Sequence, residues 1–278
     1  MYHSALVALH AEGGNEVLSQ MAIDLASRQH LQLSAVVVID PESTVSHEAV
    51  PLGASAFKAR RDDALMTQVR KKAQEESDGF AQRCSEHGVS CTTAIREGHL
   101  DEEIALAAQT CDMMVVGHGD GTEACGETRE DLSQLHSMLE SSARACLVVP
   151  CRAEEVRRVV VAYDGSLQAA RALHDFAVSG LWQDCPVDVV SLATDRQEAT
   201  ETAERAAVYL RTHDYAAETH PIVARFDVAN HILEFVKESD AGALVMGVYG
   251  KSRWHKFMVG TATRSILRAT TVPVFVSH

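Results

Sequence analysis

Aromatic side chains are scarce, at 5% of 278 residues, while hydrophobic residues of all kinds reach 46%. The core of such a chain is therefore aliphatic, which favours Val- and Ile-rich strands beneath Ala- and Leu-rich helices. Positive charge is short too: 25 Lys and Arg face 39 Asp and Glu, a formal net charge of -14. So acidic a surface repels nucleic-acid backbones and anionic membranes, and neither is expected as a partner. No apolar run reaches membrane-spanning length, and the N-terminal MYHSALVALHAEGG lacks the basic region of a secretory signal. No Cys-x-x-Cys pair occurs. The seven cysteines are an odd number and read as reduced thiols of a cytoplasmic protein, not as a disulfide framework. The 14 histidines show no zinc-type spacing, so no metal site is expected, although His99, His118, His136 and Cys125 cluster loosely in the first half. No nucleophile elbow and no His-Glu-x-x-His pattern is present, and no catalytic residue is assigned.

What the chain does have is a repeat. GHLDEEIALAAQTCDMMVVG (Gly98 to Gly117) and VANHILEFVKESDAGALVMG (Val228 to Gly247) each read as a helix, a turn at Asp and an apolar strand stopped by Gly. MLESSARACLVV (Met138 to Val149) matches SILRATTVPVFV (Ser265 to Val276), and ALVALHAEG near residue 5 matches VVVAYDGS near residue 159. A unit of about 130 to 150 residues is thus written twice. The joint falls in the charged CRAEEVRR (Cys151 to Arg158), giving domains 1–151 and 152–278.

Within each half, short apolar runs alternate with helical patterns. In the second half the strands are RVVVAY, VDVVSLA, AETHPIVA, ALVMG and PVFVS. Val on both faces means strands buried on both sides, and strand–helix alternation means a parallel sheet. The expected fold class is α/β: two tandem doubly wound domains, each a five-stranded parallel sheet flanked by helices. The first half adds a loop, Ile39 to Phe57, before a long helix from roughly Arg61 to His87. The last strands of the halves, CLVVP and PVFVS, are expected to pair and form an intramolecular pseudo-dimer. A homodimer of tandems is a further expectation.

One stretch, GVYGKSRWHKFMVGT (Gly247 to Thr261), holds Gly-Lys-Ser but not a Walker loop, because two residues rather than four separate Gly247 from the Gly-Lys pair. Gly247 ends a strand, at the rim where doubly wound sheets bind ligands. A glycine there lets backbone approach a ligand. Gly250 permits a tight turn. Gly260 and Thr261 open the last helix, whose free N–H groups and dipole hold phosphate oxygens. Between them lie Lys251, Arg253, His255 and Lys256, a cationic cluster on an acidic chain. Loop punctuation alone also explains such glycines. The first strand of this half ends in YDGS, placing Asp164 at the same switch point, where a carboxylate accepts from an amine or a ribose hydroxyl. Asp164-Gly165-Ser166 also reads as a helix cap, and the two roles coexist. Trp254, in the same loop, reads as a contact for adenine or a partner or, as is commoner, as a residue packed under its own loop.

The pattern G-x2-G-x9-G-T, filled by Gly247, Gly250, Gly260 and Thr261, resembles the nucleotide-binding motif of the universal stress protein family. VVVAYDGS resembles that family's first strand, and SILRATTVPVFV its last helix and strand. The likeness covers essentially the whole chain, as a tandem. It implies ATP, with or without magnesium, in the second half. Ala162, Tyr163 and Asp164 would lie at the base, and Leu192 would form an apolar wall. Met246 and Gly247 would lie near the ribose and alpha phosphate. Gly250, Gly260, Thr261 and Ala262 would hold the phosphates.

The first half departs at each of these places. His10 stands for Asp164, Asp120 replaces the second glycine, and Ser133 and Gln134 align with Gly260 and Thr261. The loop between carries Glu123, Glu127, Glu130 and Asp131, which repel a triphosphate. No cofactor is expected there; that half is read as structural or as binding another ligand, with His10 and His118 sharing the crevice. The leading reading is a cytoplasmic ATP-binding stress-response regulator with an unidentified protein partner. It is at most a weak ATPase, because no general base is placed. A nucleotide-free interaction module and a slow nucleotide hydrolase stay open as alternatives.

Overall fold

A computed structural model of the chain describes residues 1–44, 55–118, 129–248 and 261–277. The chain divides into two compact units, His3–Ala143 and Arg144–His278, the latter joined by Met1–Tyr2.

In the first unit β1 (Ser4–Leu9) leads into α1 (Glu16–Gln29), β2 (Gln32–Ile39) and the short α2 (Pro41–Thr44). Then come α3 (Ser55–Glu86), β3 (Cys91–Glu97), α4 (Leu100–Ala108), β4 (Met113–His118) and α5 (Arg129–Ser141). The long helix thus begins before Arg61, and the expected loop shrinks accordingly. The strands lie parallel in the order β3-β2-β1-β4. The chain moves outward from β1 through β2 to β3, then returns to place β4 on the other side of β1. The switch point is the gap between β1 and β4. β1, β2 and β4 are buried on both faces, as their Val, Ala, Leu and Met runs require. β3 is half-exposed and carries Arg96 and Glu97 at its end; Glu97 takes two hydrogen bonds from Arg70 of α3. Charge on an outer strand discourages edge-to-edge pairing. Asp112 staples β1 to β4: its Oδ2 accepts from His3 N at 2.7 Å, Ser4 N at 3.0 Å and Ser4 Oγ at 3.1 Å.

The second unit runs β5 (Ala145–Pro150), β6 (Val159–Ala162), α6 (Leu167–Ser179), β7 (Val187–Ala193) and α7 (Arg196–Arg211). It continues with β8 (Ala217–Val223), α8 (Val228–Glu238), β9 (Ala243–Gly247), α9 (Thr261–Ala269) and β10 (Val274–Ser277). Here β10, β9, β6, β7 and β8 follow one another in parallel, so β6 and β9 flank the switch point. β5 pairs antiparallel with β10, through Val148↔Val274, Leu147↔Phe275 and Cys146↔Val276. The expected meeting of CLVVP with PVFVS is present, and it places β5 in the second unit's sheet. The outer strand β8 holds Pro221, which has no N–H to offer a ladder and is tolerated at such a position.

α7 lays Ala199, Ala203, Ala206 and Ala207 on the sheet, all at 0% exposure. Four methyl groups in a row let its backbone sit close over β7 and β8. The few aromatics are concentrated. Phe176 meets Tyr215, Phe275 and Trp182 at centroid distances of 5.0, 5.9 and 6.4 Å. The buried Tyr215 hydroxyl donates to Phe176 O and Leu181 O. Five cysteines, Cys84, Cys91, Cys111, Cys146 and Cys185, are free thiols. Cys151 is disulfide-bonded, so the all-thiol expectation does not hold there. Cys125 lies outside the described residues.

Candidate functional site

At the C-terminal end of β6, Ala162 stands beside Met246 of β9. Tyr163 N donates to Val190 O at 2.9 Å, which carries the ladder one residue further and fixes where the chain leaves the sheet. The turn that follows is built by three residues. Asp164 Oδ1 accepts from Ser166 N at 2.9 Å, Gly165 takes the left-handed conformation (φ 74°), and Ser166 Oγ caps α6 by accepting from Ala169 N. The cap reading of Asp164-Gly165-Ser166 is therefore correct. It uses one carboxylate oxygen, and Asp164 remains exposed at the strand rim. Its other oxygen accepts no hydrogen bond among the described residues. An exposed carboxylate at a switch point is chemically suited to an exocyclic amine or a ribose hydroxyl.

Gly247 has a different role from the one its sequence position suggests. A Cβ there would lie 2.5 Å from Ala169 N and 2.6 Å from Gln168 C. The first turn of α6 fills the space, so the glycine admits the helix backbone rather than a ligand. Its consequence for the site is indirect: the N-terminus of α6 is pulled against the end of β9, beside Asp164. Leu192, near the end of β7, and Ala162 are half-buried, and Met246 is buried. Tyr163 is half-buried, and burial raises its phenol pKa; Arg205 pulls it back and Asp164 adds to the rise. Arg205, from α7, reaches this turn. Its Nη2 donates to Thr202 Oγ1 and lies 3.7 Å from where a Gly165 Cβ would be. Sequence reasoning missed Arg205 because it lies far along the chain in a helix whose pattern reads simply as amphipathic.

α9 begins at Thr261, directly after Gly260, and Ala262 is half-buried in its first turn. Gly250, Gly260 and the loop cations lie outside the described residues. The structure thus brings together Ala162, Tyr163, Asp164, Met246 and Gly247 at the β6/β9 rim, with Leu192 on adjacent β7.

The equivalent rim of the first unit is different. His10 follows β1 where Asp164 follows β6. Its Nε2 lies 3.1 Å from the Cβ position of Gly117, so the imidazole covers that glycine. The buried Asn15 locks the turn: its Oδ1 accepts from His10 N, and its Nδ2 donates to His10 O and to Glu76 Oε2. α5 begins at Arg129, so Ser133 and Gln134 sit within helix instead of opening it. Their N–H groups belong to the intrahelical ladder, and no helix terminus is presented at the position of α9's first turn. Beneath His10 and His118 is a cavity of ≈ 230 Å³. Its other polar lining groups include Glu12, Asp40 and Thr44, above an aliphatic floor.

One group of metal-ligating side chains comes together among the described residues, at Asp188, Glu218 and His220. It belongs to neither crevice: Asp188 and Glu218 face each other near the starts of β7 and β8. The pattern was invisible in the sequence, because the pairing of two strands creates it. Asp188 is buried, and its two oxygens are taken by Arg158 Nη1 at 2.9 Å and His220 Nε2 at 3.0 Å. The guanidinium supplies the compensating charge, and the carboxylate is satisfied without an ion.

Comparison with other proteins agrees with this architecture. The model of the universal stress protein family matches twice, over residues 1–147 and 155–278. A universal stress protein of Synechocystis is 27% identical over 144 residues, 51% of this chain and 50% of its own length. The chain thus aligns with about half of that relative. A universal stress protein from Archaeoglobus fulgidus shares the fold at a TM-score of 0.72 and 16% identity, with 99% of this chain and 95% of that chain covered. A protein of unknown function from Pseudomonas aeruginosa superposes at a TM-score of 0.58 and 17% identity, covering 99% and 92%. The chain belongs to the universal stress protein family and carries that family's domain twice in tandem.

Proposed function

We propose that the second domain binds an adenine nucleotide and that the protein is an ATP-responsive regulator of the cytoplasmic stress response. The observation that carries this reading is the β6/β9 rim, where an exposed carboxylate, Asp164, stands at the switch point of a doubly wound sheet. α9 starts at Thr261, the residue that closes the G-x2-G-x9-G-T motif. Asp164 would accept from the adenine amine or a ribose hydroxyl, with Leu192 as an apolar wall and Met246 near the ribose. Backbone donors at Gly250, Gly260, Thr261 and Ala262 would hold the phosphates, aided by the loop cations. Magnesium, if bound, would be held by the phosphates themselves.

Hydrolysis is expected to be slow at best, because Asp164 is engaged in the turn and no other base stands at the described rim. Binding would instead change association with itself or with a protein partner. The first domain, with His10 over Gly117 and α5 started early, is not a second nucleotide site in this mode.

ATP titration by calorimetry tests the reading. Asp164→Ala and Gly260→Glu should each weaken ATP binding at least roughly tenfold, the loss expected from one or two good hydrogen bonds. Folded variants that bind ATP as well as the parent would refute it.

A further inference from the structure

We propose that the first unit's crevice is a binding site for a small, largely apolar molecule carrying a protonated amine. The cavity of ≈ 230 Å³ opens at the C-terminal ends of β1, β2 and β4, the place where this sheet topology takes ligands. Its floor is aliphatic, with Leu9, Ile39, Ile104, Val116 and Leu135 among the lining side chains. A ligand's hydrocarbon part is therefore well received.

Charge selects the rest of the ligand. The described lining contains two carboxylates, Glu12 and Asp40, and two imidazoles, His10 and His118, but no Lys or Arg. Carboxylates are the only carboxyl-type or Lys/Arg-type charges in the described lining, so an ammonium finds Coulombic partners there and an anionic ligand meets like charge at Glu12 and Asp40. Asp40 is held in place for this. Its Oδ1 accepts from Glu42 N at 2.9 Å, and its carbonyl accepts from Thr44. Size narrows the class further. The cavity falls below the ~300–1,000 Å³ usual for drug-sized ligands, so it suits a molecule of roughly ten heavy atoms and not a nucleoside triphosphate. This inference does not depend on nucleotide binding in the second domain.

Three near-isosteric probes test it on the full chain: 2-phenylethylamine, 2-phenylethanol and 3-phenylpropionate, followed by amide chemical shifts in NMR. The amine should bind roughly fivefold tighter than the alcohol, the size of an exposed ion pair, and the acid more weakly still. Shifts should centre on His10, Gly117 and His118. Asp40→Asn keeps the acceptor for Glu42 N and should remove most of the amine's advantage, leaving the alcohol unchanged. Glu12→Gln, at an exposed position, should do so in part. Saturating ATP should not displace the amine. Equal or tighter binding of the acid would overturn the proposal. So would absence of crevice shifts with all three probes at millimolar concentration, an amine preference that survives Asp40→Asn and Glu12→Gln combined, or displacement by ATP.

Discussion

Gly247 is the residue at which packing and function are most easily confused. With backbone atoms of Ala169 and Gln168 between 2.5 and 2.8 Å from its missing Cβ, even alanine forces the end of β9 and the start of α6 apart. Gly247→Ala is expected to lower stability by about 3 kcal/mol in urea unfolding, at the upper end of overpacking costs. Gly88 gives the contrast. It is left-handed (φ 67°) with open space around its Cβ position, so Gly88→Ala should cost about 1 kcal/mol, from backbone strain alone. Asp188 is the second sensitive residue. Removing it leaves Arg158 and His220 without their shared acceptor, but the Arg158 side chain keeps 38% of its exposure and reaches water. Asp188→Ala is therefore expected to cost about 2 to 3 kcal/mol by the same measurement, below the full penalty of an orphaned buried charge. Neither effect was readable in the chain. Gly247 reads as a strand stop whether a ligand or a helix lies against it, and Asp188 meets His220 only through the pairing of β7 with β8.

Among elements, the tie between β1 and β4 is sensitive to pH. Burial pulls the Asp112 carboxyl upward, and the donors of His3 and Ser4 outweigh it, so its pKa lies below the ordinary 3.8. A depressed folded-state pKa stabilises the fold above about pH 4 and loses that contribution as pH falls through the folded value. Urea midpoints of the parent should therefore decline below about pH 4, and Asp112→Asn should start lower and flatten that decline. A slope unchanged by the substitution would show that other carboxylates carry it. The elements themselves were largely legible. VDVVSLA, ALVMG and TATRSILRA are β7, β9 and α9 without a residue's difference, because burial on both faces or a sharp glycine fixed their limits. The start of α5 was not. Alignment with the second half placed Ser133 and Gln134 at a helix opening, whereas helical structure begins at Arg129. Ser133 stands in the first half where the second half has Gly260, so no glycine interrupts the helix at that position. The pairing of CLVVP with PVFVS was legible as a meeting of two apolar strands that end repeats. The antiparallel direction, and the joining of β5 to the second unit, emerge only in three dimensions.

For the whole molecule, duplication has left two doubly wound units with unlike rims. One offers an exposed carboxylate beside a glycine-bounded motif; the other covers its glycine with an imidazole and has two carboxylates in the lining of a small cavity. Each rim was foreshadowed by a residue type at one position, Asp164 or His10. The sequence showed neither the cavity nor the reach of Arg205 to the first turn, since both depend on helices that arrive from elsewhere in the chain. The proposed function assigns a division of labour, in which one domain would respond to adenine nucleotide and the other would not. The most direct test is to denature freshly purified full-length protein, after saturation with ATP and removal of the free nucleotide, and to quantify what it releases. About one adenine nucleotide per chain, abolished by Asp164→Ala, is the predicted result. About two per chain, or a single equivalent that survives Asp164→Ala, would contradict the assignment of nucleotide to the second domain alone.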